Sequence, residues 1–136
     1  MRIGVRSISR GCAHGHAVKS QKPISFLGDV DPTTGRISDP NNALFGTSIA
    51  GRVFVFPEAR GSTVGSYVLY DMARRGTAPA ALVAHRAETI VAVGAIISKI
   101  PLVDGVSLSE MERIHDGDFI TVNADEEYIE VRCVHE

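Results

Sequence analysis

Hydrophobic and polar positions change period along this chain, and the changes mark out its elements. From Arg2 to Ser20, small or apolar residues (Ile3, Val5, then Gly11, Ala13, Gly15 and Ala17) alternate with polar ones. A period of two predicts strands, here weakened by glycine. Pro23–Leu27 reads as another extended piece, and Gly28–Asn42, crowded with Asp, Pro, Thr, Gly and Asn, as a long polar loop. Val53-Phe54-Val55-Phe56 is a continuous β-prone run, as expected of a strand buried on both faces, and Pro57 is expected to end it.

After a turn at Glu58–Gly61 the period shifts to that of a helix. Val64, Val68, Leu69, Met72 and Ala73 fall on one face, with Ser62 at the expected N-cap and Arg74-Arg75-Gly76 as the stop. Ala80–Ala84 predicts a strand, Glu88–Ser98 a second helix rich in β-branched residues, and Val103 the end of the following strand. Asp116-Gly117-Asp118 marks a turn before two alternating strands, Phe119–Asn123 and Tyr128–Cys133. There is no internal repeat and no low-complexity linker.

Composition narrows the class. The 136 residues are enough for one domain, residues 1–136, with a sizeable core, and 44% hydrophobic with 22% charged residues is an ordinary globular balance. A formal net charge of −2 without a basic run speaks against nucleic acid or an anionic membrane as partner. The longest apolar run, Ile90 to Ile97, falls far short of the roughly 20 residues that span a bilayer. Two cysteines, Cys12 and Cys133, are fewer than a disulfide framework normally uses, and no signal-like apolar segment opens the chain. These features predict a cytoplasmic protein.

The strongest local signal for chemistry is Arg60-Gly61-Ser62-Thr63-Val64-Gly65-Ser66, between a buried strand and a helix. Amides at a helix start favour negative charge, glycines let the backbone come close to a ligand, and Arg60 adds a forked cation. The segment reads either as an anion cradle or as a plain turn in which Ser62 caps its helix. It lacks the lysine and spacing of a P-loop. Cys12, His14 and His16 project from one strand face as metal ligands can, but exposed strand residues of these types are common and no metal is assigned to them. Cys133 and His135 read as ordinary strand and tail residues, His85 and His115 have no visible partner, and Asp29, Asp31 and Asp39 suit turns.

Four blocks, Phe26–Gly35, Ser48–Pro57, Arg60–Tyr70 and Ala87–Ser98, together resemble the small subunit of the aconitase X dehydratases, most closely the branch that acts on phosphomevalonate. They cover most of the chain in the family's order. The resemblance implies a swivelling β/β/α domain with mixed sheets and two main helices, closing over a large subunit in a heterodimer or higher assembly. It implies an iron-sulfur cluster in that partner and no cofactor in this chain. The implied activity is a hydro-lyase step, (R)-5-phosphomevalonate to trans-anhydromevalonate 5-phosphate, in the archaeal mevalonate route to isoprenoids.

Ser62 matches the family's catalytic base. Arg60, Gly61, Thr63, Gly65 and Ser66 are then the expected substrate-binding residues, for a phosphorylated hydroxy acid. Ala59 departs from the family, which often has glycine there, and His14 and His16 fall at variable positions. Two other functions stay open at this point: the small subunit of a cis-3-hydroxy-L-proline dehydratase, and a non-catalytic anion-binding module.

Overall fold

The computed structural model describes residues 1–61 and 63–133. The N-terminal alternation resolves into three strands, β1 (Arg2–Gly4), β2 (Arg6–Ser9) and β3 (Cys12–Lys19). A kinked turn α1 (Phe26–Asp29) and a small hairpin of β4 (Val30–Asp31) and β5 (Arg36–Ile37) follow. Then come β6 (Val53–Glu58), α2 (Gly65–Arg75), β7 (Ala81–Arg86), α3 (Thr89–Ser98) and β8 (Leu102–Asp104). The chain continues through α4 (Leu108–Glu112), β9 (Phe119–Asn123) and β10 (Tyr128–Arg132).

Eight strands run in the order β1-β10-β9-β3-β6-β7-β8-β2. The long strand β3 belongs to two sheets: Cys12–His16 pairs antiparallel with β9, and Ala17–Lys19 pairs parallel with β6. One sheet is therefore antiparallel (β1, β10, β9, β3), and the other has parallel pairs from β3 through β8 with β2 antiparallel at its edge.

Alternation along the central strands builds two cores, because successive side chains leave a strand on opposite faces. Val53, Val55, Ala81, Val83 and Val103 face the antiparallel sheet and pack with Ile3, Ile120, Val122 and Ile129. Phe54, Phe56, Leu82, Ala84 and Leu102 face the helices and pack with Phe26, Leu69, Met72, Val91 and Ala95. The architecture is thus three layers, β/β/α, with α2 and α3 as the main helices. Helices and sheets cover β6 on both sides, which explains its unbroken apolar run.

Several boundaries differ from the sequence reading. Strand β6 continues through Pro57 to Glu58, because β3 stops pairing at Val55 and no ladder bond on that side needs the missing N–H. Helix α2 starts at Gly65 with Val64 at the N-cap, two residues beyond the expected position. Gly76 ends it as expected, in a left-handed conformation with its N–H on the Ala73 and Met72 carbonyls. The Gly28–Asn42 loop contains the β4–β5 hairpin, and the extended piece expected over Pro23–Leu27 holds at Ile24, which bridges to Ala59, and at Ser25, before the α1 turn begins at Phe26.

Helix α4 was not foreseen, although Ser107-Leu108-Ser109-Glu110 carries a full capping box. The histidines read as partnerless are not: His85 Nδ1 lies 2.7 Å from the Val106 carbonyl, and His115 Nδ1 lies 3.9 Å from Oδ2 of buried Asp118, which also accepts the His115 backbone N–H. Among the described residues no helix is long and apolar enough to cross a membrane.

Candidate active site

The Arg60–Ser66 segment leaves the C-terminal end of β6 and enters α2. Beyond the β3 ladder, Ile24 runs beside Ala59: its N–H donates to the Glu58 carbonyl at 3.0 Å, and the Arg60 N–H donates to the Ile24 carbonyl at 2.8 Å. The sheet is thereby extended by one residue at the mouth of the loop.

Just past that bridge lies the Ser25–Asp29 turn. The Ser25 N–H donates to Asp29 Oδ2 and the Ser25 hydroxyl to the Leu27 carbonyl, both at 2.8 Å. Phe26 anchors the turn from below, meeting Phe54 and Phe56 edge-on with ring centroids 6.2 and 6.1 Å away.

The predicted site residues fall into two groups. Arg60, Gly61 and Thr63 are exposed, and the Arg60 guanidinium pairs with Glu58 at 3.2 Å on the surface. Gly65 and Ser66 are buried in helix packing. Gly65 faces Ile90 and Phe26, while the Ser66 hydroxyl donates back to the Thr63 carbonyl at 2.9 Å. Ser62, the expected base, lies outside the described residues.

The starts of the two main helices differ in charge. Glu88, N-cap of α3, accepts hydrogen bonds from the Ile90 and Val91 amides, so that helix supplies its own anion. The side chain of Val64 at the α2 N-cap has no oxygen to accept from an amide, and the first turn of α2 holds no acid. Among the described residues, neither the N-cap side chain nor the first turn of α2 supplies a carboxylate to the positive end of its dipole, as suits an anionic substrate.

Two features near the loop were not singled out from sequence. Arg86, at the end of β7, is the register partner of Glu58 and brings a second guanidinium to this end of the sheet. The Ser25–Asp29 turn forms the neighbouring wall; in the sequence Asp29 reads as turn chemistry and Ser25 as part of an extended piece, and the closeness of Ser25 to Gly61 depends on the Ile24–Ala59 bridge. Around the loop, Leu27 (45% exposed), Val64 (45%) and Tyr67 (69%) leave large apolar surfaces bare. A separate cleft of about 220 Å³ is lined by Lys19, Ser20, Gln21, Pro57, Leu108, Met111 and Glu112, and its lysine is committed to the Met111 carbonyl.

The cysteine–histidine face forms as expected without gathering a ligand set. Cys12 Sγ donates to Asn123 Oδ1, while His14 and His16 flank Phe119 with ring centroids 5.5 and 5.4 Å away. Among the described residues no group of three or more His, Cys, Asp or Glu comes together to hold a metal. Cys12 and Cys133 are both free and exposed. His135 lies outside the described residues.

Comparison with known proteins gives concordant results. The family model of the aconitase X swivel domain matches residues 2–131. A Methanosarcina acetivorans protein named phosphomevalonate dehydratase small subunit is 54% identical over 93% of this chain and 88% of its own length. A protein of the same name from Thermococcus onnurineus is 49% identical over 96% of this chain and 98% of its own. The crystal structure of the holo-form of Thermococcus kodakaraensis aconitase X superposes with a TM-score of 0.91 at 46% identity, covering 96% of this chain and 98% of that one.

Proposed function

Because this chain belongs to the aconitase X swivel-domain family, we propose that it is the small subunit of a two-subunit hydro-lyase that dehydrates (R)-5-phosphomevalonate to trans-anhydromevalonate 5-phosphate, a step of the archaeal mevalonate route. The observation that carries the reading is the likeness, at 54% and 49% identity over more than nine-tenths of the chain, to proteins named as phosphomevalonate dehydratase small subunits. The loop chemistry supports it. Loss of water from a β-hydroxy acid removes a proton next to the carboxylate and the hydroxyl one carbon further on, so it needs a base and an acid.

Ser62 is the base in this reading. A serine hydroxyl is a poor base until its alkoxide is stabilised, and the positive end of α2 with the nearby Arg60 supplies favourable charge. The same cationic end attracts the substrate's carboxylate or phosphate. Exposed Gly61 and Thr63 border the approach, whereas Gly65 and Ser66 contribute by holding the helix start.

An exposed loop is wet, and both the base and its stabilising charges work better with water excluded. A large subunit closing over Leu27, Val64 and Tyr67 would exclude it and cover the bare apolar surface. The described side chains do not fit an iron-sulfur cluster, since no group of three ligands gathers and both cysteines lie free on the surface. Such a cluster is assigned in this reading to the partner subunit. Free, exposed cysteines also suit the reducing cytoplasm as the site of action.

The test is dehydration of (R)-5-phosphomevalonate by this chain alone, by the large subunit alone, and by the two mixed under anaerobic conditions. Turnover only in the mixture is the expected result. A stable complex that leaves this substrate untouched would overturn the substrate assignment, and failure to form a complex would leave a solitary anion-binding module.

A further inference from the structure

We infer that Ser25 is a positioning residue for the catalytic loop, acting as a fixed wedge against Gly61. The inference rests on the proposed role of the loop and adds a residue to its machinery. Gly61 has φ of +110°, a conformation that side chains rarely adopt, and a Cβ built on it would stand 2.6 Å from Ser25 Oγ and 3.4 Å from Ser25 Cβ. The serine therefore sits in the space that any other residue at position 61 would occupy.

Ser25 is tied on both sides. Its N–H is held by Asp29 Oδ2 and its hydroxyl by the Leu27 carbonyl, so the side chain cannot rotate away without losing a hydrogen bond. The residues just before the contact are joined as well, since the Arg60 N–H donates to the Ile24 carbonyl at 2.8 Å. The β4–β5 region braces the turn from outside: the Ser38 N–H and hydroxyl donate to the Asp29 and Gly28 carbonyls at 2.8 and 3.0 Å. The residue immediately before Ser62 in sequence thus rests on a braced turn. Side chains in a reacting site lose rate when their supports are loose by about 1 Å.

The test is a double-mutant cycle in the reconstituted two-subunit enzyme with Ser25→Ala, Gly61→Ala and both. Backbone strain from an alanine at 61 is present in both backgrounds and cancels, leaving the contact itself. Ser25→Ala should lower kcat about tenfold while KM stays within about twofold and the melting temperature is little changed. The double variant should be more active than the product of the single losses, because the hydroxyl that blocks a Cβ at 61 is gone. Multiplicative effects, or an unchanged kcat in Ser25→Ala, would overturn the inference.

A second readout separates it from the substrate assignment. In the ¹⁵N-labelled chain, the heteronuclear NOE of the Gly61 and Thr63 amides should fall in Ser25→Ala relative to wild type. If the wild-type mixture shows no dehydration, the proposed function fails and this measurement alone decides: lowered values uphold the wedge, and unchanged values refute it.

Discussion

Arg6 grips the carboxylate of buried Asp104 through two hydrogen bonds, both 2.8 Å, from Nε and Nη2. Asp104 also accepts the Ala87 N–H at 2.9 Å, so one carboxylate joins the edge strand β2 to β8 and to the residue that leads into α3. Burial pushes the Asp104 carboxyl up, but the Arg6 hydrogen bonds, the Ala87 amide and the neighbouring charges of Arg6 and His85 outweigh it. Its pKa in the folded protein lies below the ordinary value.

A carboxylate whose folded pKa is depressed contributes stability that is complete above its unfolded pKa, about 4, and is lost as pH falls through the folded value. Asp104→Asn should therefore cost about 1–3 kcal/mol at neutral pH. The gap between wild-type and variant melting temperatures should shrink as the pH is lowered below about 4. Melting curves from pH 7 to pH 3 check this, and a gap that persists undiminished at pH 3 would contradict the ion-pair account.

Gly94 lets α3 lie directly on α2. A Cβ there would meet Ser66 Cα and Leu69 Cδ1 at 3.0 Å, and backbone cannot give way as a flexible side-chain end can. Gly94→Ala should destabilise the domain by about 1–3 kcal/mol despite alanine's better helix propensity. Denaturant unfolding gives the sign directly: a neutral or stabilised variant would show that the two helices separate easily.

Ser62→Ala should leave the melting temperature and complex formation intact and reduce turnover by about 100- to 10,000-fold, the range for loss of a general base. Steady-state kinetics of the reconstituted enzyme measure it. Retained activity would remove the serine from the mechanism while leaving the family assignment in place.

Tyr67 projects from the exposed side of α2 next to the loop and supports nothing in the core. Tyr67→Glu should weaken binding of the large subunit about tenfold, roughly 1.4 kcal/mol, without lowering the domain's own stability. Titration calorimetry or sedimentation with the separate subunits tests it. Unchanged affinity would place the interface elsewhere.

Glu88 anchors the other helix. Its carboxylate accepts from the Ile90 and Val91 amides at 3.0 and 2.7 Å, and Glu88→Ala should cost about 0.5–2 kcal/mol, as loss of an N-cap does. Thermal unfolding should register the change with kcat preserved.

Sequence by itself determined the elements whose pattern is local. The Val53–Phe56 run, the helix face that buries Leu69 and Met72, the stop at Gly76 and the two final strands all follow from side-chain periodicity and turn chemistry over a few residues, whereas Val64, expected on that face, is an exposed N-cap because the helix starts only at Gly65. The four blocks also carried the family and the location of the candidate loop. Tertiary structure alone decided what depends on distant pairing. Pro57 stays within β6 because β3 ends its ladder at Val55, and β3 serves two sheets because its halves meet different partners. Ser25 becomes a neighbour of Gly61 only through the bridge between Ile24 and Ala59. Ser66, a plausible ligand by type, is buried because Gly94 on another helix admits it so closely. Periodicity reports which way a side chain faces, whereas the residue that meets it there is set by chain segments far away in sequence.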